Sequence, residues 1–164
     1  MKKHLLPLLL SIPMLMSAEN LSVNSPDGNL KVTLSDNDGK LSYTVTYKEH
    51  SIIESSPIGL MTNVGDYTQG AKLAKQETNA IDERYTLNRT KKSDIHYVAN
   101  QLVATYRYPE RRAMQVVFNV SNNDIAFQYR LMPIGETVCA VVNSEATGFD
   151  FPEGTTTFLT PQSD

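Results

Sequence analysis

Residues 114–131 read MQVVFNV, then SNND, then IAFQYRL. Met114, Val116, Phe118 and Val120 fall on alternate positions, with Gln115, Asn119 and Ser121 on the other face. Ile125, Phe127, Tyr129 and Leu131 alternate in turn with Gln128 and Arg130. Successive side chains of a strand point to opposite faces, so each run predicts a half-buried strand. The Ser-Asn-Asn-Asp between them is turn chemistry, because Asn and Asp tolerate left-handed backbone and bond to their own main chain. Two such strands make a hairpin whose apolar rows need a second layer. The expectation is an all-β fold, an antiparallel β-sandwich.

The pattern recurs upstream. Ser25-Pro26-Asp27-Gly28 reads as a turn, followed by Leu30, Val32 and Leu34 alternating with Lys31 and Thr33. Asp36-Asn37-Asp38-Gly39 reads as a tight loop into Leu41, Tyr43, Val45 and Tyr47, a second hairpin. A calcium loop would need further spaced ligands and a closing Glu, so the turn reading is preferred there. A short strand is expected at 51–54, mostly loop at 63–76, a mixed strand at 79–87 and one long or broken strand at 94–108. Pro109-Glu110-Arg111-Arg112 turns the chain into the Met114 strand. Residues 138–143 predict a short strand, 148–153 a turn, and 155–159 a β-prone run. Ten to twelve short strands with turns about every ten residues fit a sandwich, and no stretch predicts a helix.

The chain has 164 residues, 40% apolar and 20% charged, enough for one domain with a real core. Its net charge is -3. Residues 1–18, MKKHLLPLLLSIPMLMSA, have a basic start, a short apolar run and a small-residue end, as in a signal peptide. Removing them takes away Lys2 and Lys3, so 13 basic residues of the 15 face 18 acidic ones and the charge becomes -5. A mildly acidic body offers nothing to nucleic acid or anionic lipid. The apolar run is too short to span a bilayer, so no membrane span is expected after cleavage, and a periplasmic or secreted location is. The lone Cys139, beside Val138 and Val141, predicts a buried, inert thiol.

Catalytic signals are sparse. A glycosidase needs two carboxylates across one bond. Asp82, Glu83, Asp94, Asp150 and Glu153 qualify only by being acidic, and solvated strand and loop positions are the expectation for them. His50 and His96 stand isolated, without the spacings of a zinc site. Arg89, Lys91 and Lys92 read as a solvated turn, since no Gly-rich cradle accompanies them. No nucleophile elbow occurs. No catalytic, cofactor-binding or metal residue is assigned.

Several segments in order resemble the N-terminal domain of glycoside hydrolase family 97. They are Ser25-Pro26-Asp27-Gly28-Asn29-Leu30, Ser56-Pro57-Ile58-Gly59-Leu60, Asp82-Glu83-Arg84-Tyr85, Val117-Phe118-Asn119-Val120 with Asn123-Asp124-Ile125-Ala126-Phe127-Gln128-Tyr129-Arg130, and the run FPEGTTTFL at 151–159. The resemblance implies a galactose-mutarotase-like super-sandwich over residues 19–164, incomplete, preceding a catalytic (β/α)8 barrel and a C-terminal β-domain. It implies secreted or periplasmic α-glucosidases or α-galactosidases that act on α-linked oligosaccharides and use calcium. In that picture the carboxylates and most calcium ligands lie on the barrel, no cofactor is bound by this segment, and the chain alone is inactive. A stand-alone carbohydrate-binding sandwich is the alternative.

Overall fold

The computed structural model describes residues 20–89, 93–136 and 139–156. The signal-peptide reading falls outside these residues, as do Lys91, Lys92 and Val138. Eleven strands run through the described residues: β1 (Asn20–Asn24), β2 (Leu30–Asn37), β3 (Lys40–Tyr47), β4 (His50–Pro57), β5 (Leu60–Thr62), β6 (Gly65–Asp66), β7 (Lys72–Thr86), β8 (Asp94–Arg107), β9 (Ala113–Ser121), β10 (Ile125–Leu131) and β11 (Val142–Glu145). A 3-10 turn at Pro109–Arg111 is the helical element among them. None of the described residues forms a helix long and apolar enough to cross a membrane.

Two four-stranded antiparallel sheets, β1-β2-β3-β4 and β10-β9-β8-β7, form the sandwich, and a small β11-β5-β6 sheet lies beside them. The predicted hairpin is β9 and β10, paired from Met114 opposite Leu131 to Val120 opposite Ile125. Its turn is closed by Ser121, whose hydroxyl donates to Asp124 Oδ2 at 2.6 Å. The β2–β3 loop is a two-residue turn with both central residues at positive φ, Asp38 at 52° and Gly39 at 80°. That is the hairpin turn that matches strand twist. The Asp36 carboxylate accepts the Gly39 N–H at 2.7 Å.

The apolar rows meet between the sheets. Val32, Leu34, Leu41, Tyr43 and Val45 come from one side, and Leu102, Tyr106, Met114, Val116, Phe118 and Val120 from the other. Tyr43 bridges the layers, its ring 5.8 Å from that of Phe118. Ile125, Phe127, Tyr129 and Leu131 share the core face but remain partly exposed, because β10 is an edge.

Several expectations need correction. Tyr47 continues the β3 row in sequence yet, at the last position of the strand, is 39% exposed. The short strand at 51–54 is part of an eight-residue β4. The expected loop at 63–76 holds β6 and the start of β7. β7 is mostly exposed and has no alternation to detect; its extended form comes from the ladder to β8. The strand expected at 138–143 is displaced to Val142–Glu145. Of the β-prone run at 155–159, Thr155 and Thr156 belong to no strand, and residues 157–159 lie outside the described residues.

Tyr67 and Tyr108 meet edge to face at 5.1 Å under the small sheet. Both hydroxyls are buried without a hydrogen-bond partner among the described residues. Burial pushes the Tyr108 phenol far above its ordinary range, and the neighbouring Tyr106 and Asp36 push the same way. Burial also raises Tyr43, Tyr67 and Tyr129. A proton held more tightly folded than unfolded stabilises the fold fully below the unfolded value of about 10, and that stability falls as pH rises beyond it. Urea midpoints should therefore fall above about pH 10. The Tyr108→Phe variant should lose less there and cost under about 1 kcal/mol at pH 7, since the hydroxyl has no bond to lose. A steeper alkaline loss in that variant would contradict this account.

Candidate functional site

The polar residues singled out from sequence concentrate on the distal part of the β7–β8 ribbon. Asp82 pairs across from Val98, Glu83 from Tyr97, Arg84 from His96, Tyr85 from Ile95 and Thr86 from Asp94. Residues directly opposite share a face. Asp82, Arg84, Thr86, Asp94, His96 and Val98 therefore occupy one side, and Glu83, Tyr85, Ile95 and Tyr97 the other.

His96 is isolated in sequence but not in space. Its Nε2 lies 2.8 Å from Asp82 Oδ1, an exposed contact between diagonal neighbours. Asp94 Oδ1 accepts the Thr86 hydroxyl at 3.1 Å. Arg84, Tyr85, Thr86, Asp94, Ile95 and His96 line an open concavity of about 360 Å³ at the ribbon end. Asp94 opposes Thr86, four residues beyond Asp82, so their backbones stand about 14 Å apart at roughly 3.4 Å per residue. Glycoside hydrolysis by a carboxylate pair needs about 5 to 10 Å. Glu83 points to the opposite face. Asp150 and Glu153 lie on the far C-terminal segment, with Asp150 held through its main chain: its N–H donates to Ser56 Oγ at 2.8 Å and its carbonyl accepts from Glu54 N–H at 2.7 Å. No hydrogen bond among the described residues joins any two of the five carboxylates.

Among the described residues no three of His, Cys, Asp and Glu converge as metal donors. Cys139 is exposed, which corrects the expected buried thiol. Val141, two residues on, pairs with Asn63 beside the small sheet and is 55% exposed. The thiol borders an open hollow of about 150 Å³ with Tyr67, Leu131 and Ile134.

Two arrangements escaped the sequence reading. The first is a buried Arg112, 8% exposed, in what reads as a plain turn. Its Nε donates to Pro109 O at 3.0 Å and its Nη1 to Asp66 O at 2.9 Å, and its guanidinium lies 5.5 Å from the centre of the Tyr67 ring. Asp66 is held below the usual carboxylate range chiefly by the Thr68 hydroxyl, 2.6 Å from Oδ1, against a contribution from burial that raises it. The second is a strap, residues 145–150, laid along β4. Ala146 and Gly148 N–H donate to Gly59 O and Pro57 O. The Tyr43 hydroxyl donates to Gly148 O at 3.0 Å. Gly59 N–H donates to the Tyr129 hydroxyl, which lies 2.6 Å from Thr147 Oγ1, and Thr147 donates to Glu145 Oε1 at 2.6 Å. Apart from the Thr147–Glu145 bond, the partners are distant in sequence, so nothing local in 145–150 signals them.

A family model described as glycosyl-hydrolase 97 N-terminal matches residues 23–164. A retaining alpha-galactosidase from Bacteroides thetaiotaomicron is 29% identical over 143 residues, 87% of this chain and 20% of its own length. A probable retaining alpha-galactosidase from Streptomyces bingchenggensis is 24% identical over 74% of this chain and 18% of its own length. The chain thus spans about a fifth of the length of these curated relatives. Among solved structures, a beta-arabinopyranosidase superposes with a TM-score of 0.83 at 40% identity, over 89% of this chain and 23% of its own. A glycoside hydrolase family 97 enzyme from Pseudoalteromonas sp. strain K8, in complex with panose, superposes at 0.74 with 20% identity, over 81% of this chain and 20% of its own, and shares the fold.

Proposed function

Because this chain belongs to the glycosyl-hydrolase 97 N-terminal family, we propose that it is the non-catalytic sandwich of a secreted or periplasmic α-glycosidase. In this reading it supports the catalytic domain and helps shape the sugar site without supplying the reacting groups. The observation that carries the reading is the dispersal of its carboxylates: Asp82 is engaged with His96 and Asp94 with Thr86. Calcium and the acid, base or nucleophile belong to the domain that follows in the longer enzymes.

The substrate class we infer is galacto-configured. The relatives at 29% and 40% identity are named for galactosides and arabinopyranosides. An α-D-galactopyranoside and a β-L-arabinopyranoside share ring-hydroxyl configuration and differ by one hydroxymethyl group. The purified chain should show no turnover of aryl α-galactoside, α-glucoside or β-L-arabinopyranoside with calcium present. Calorimetry against melibiose and maltose should show no saturable heat. Turnover that survives purification would end this reading, and saturable sugar binding would favour a stand-alone binding module.

A further inference from the structure

The β7–β8 ribbon leaves the sandwich before it ends. The ladder from β8 to β9 begins at Ala99, opposite Ser121, so residues 94–98 pair only with 82–86. Five residues at about 3.4 Å each carry the ribbon roughly 17 Å past its sheet. A two-stranded ribbon in water is marginal by itself.

The apolar side of the ribbon is reversed. Within the sandwich the core-facing residues of β8 are even-numbered: Leu102, Ala104 and Tyr106. Asp82, Arg84, Thr86, Asp94 and His96 continue that side together with Val98; Asp82 pairs with His96 and Thr86 with Asp94. The large apolar groups Ile81, Tyr85, Ile95 and Tyr97 lie on the odd-numbered side, facing away from this sandwich. Tyr85 is 45% exposed and Leu87, at the tip, 39%. Large apolar residues gathered on one side of a projecting ribbon, opposite a mostly polar side, mark an interface rather than a core.

We propose that this odd-numbered face is where the domain following the sandwich in the longer glycosidases docks. The occupant is argued from length: the relatives carry about four fifths of their chain beyond the part matched here. The inference rests on the supporting-domain reading and names its contact surface.

The test is a chimera in which this chain replaces the matching N-terminal part of the beta-arabinopyranosidase. The Tyr85→Thr/Ile95→Thr pair removes apolar surface but keeps strand propensity. It should lower the melting temperature of the chimera by about 5 °C or more and that of this chain alone by less than roughly 2 °C. The Asp82→Asn/Arg84→Gln pair, on the other face, should leave the chimera unchanged. A folded, active chimera indifferent to the threonine pair overturns the docking face and leaves the supporting function standing. An inactive or insoluble chimera with the natural ribbon overturns both. Concentration-dependent dimers of this chain, dispersed by the threonine pair, would assign the face to a second copy and overturn the proposal.

Discussion

Phe118→Ala should lower the folding stability of this domain by about 3–5 kcal/mol. The ring is fully buried and sits where the two layers meet, 5.8 Å from Tyr43 of the facing sheet and 5.7 Å from Phe127 of the adjacent strand. Removing it forfeits the transfer free energy of the ring and leaves a hole. Neither sheet can close that hole without breaking its own ladder. Domains of this size hold about 5–15 kcal/mol in all, so the variant should be near its threshold. In urea its midpoint should fall by about 2 M at an m-value of about 2 kcal/mol/M. Lys31→Ala, on the exposed face of β2, should stay within about 0.5 kcal/mol. A Phe118→Ala loss below about 1 kcal/mol would mean that the layers do not close on this ring.

Gly65→Ala is expected to cost about 2–4 kcal/mol. A methyl group at this position would stand 1.8 Å from Arg112 Nη1 and 2.6 Å from its Cδ and Cζ. The guanidinium is the flexible end of a side chain, yet it cannot swing aside freely. It is buried and tied to two carbonyls, Asp66 O and Pro109 O. Overpacking of this kind costs about 1–3 kcal/mol, and placing an L residue at φ 152° adds about 1. A double-mutant cycle separates the terms. In an Arg112→Ala background the clash is gone, so Gly65→Ala should cost only its backbone share. An equal cost in both backgrounds would show that the backbone alone is responsible and that Arg112 does not wall the site.

The β9–β10 hairpin was legible because one face of each strand is buried and the other is not. Burial on a single face writes a period of two into the residues themselves, and Met114 to Val120 carry it plainly. The same holds for β2 and β3. It fails for β7, whose Lys72, Lys75, Gln76 and Glu77 are exposed and whose shape is imposed by its neighbour. It fails again at Cys139, where apolar neighbours suggested depth but the thiol is exposed. The family was legible through an ordered series of short segments. The face that would meet a partner was not, because it depends on where β9 stops relative to β8, a fact of register between strands.

The sequence by itself determined the class of the fold: alternation and turn chemistry are local, and each hairpin announces its own buried side. It also showed carboxylates without a pairing pattern. Only the tertiary structure decided which of them find partners, how Arg112 is walled in by Gly65, and that the ribbon turns its apolar side outward. Those outcomes arise from contacts between residues far apart in the chain. A strand's own residues specify which faces differ, but only its neighbours decide which face has something to lie against.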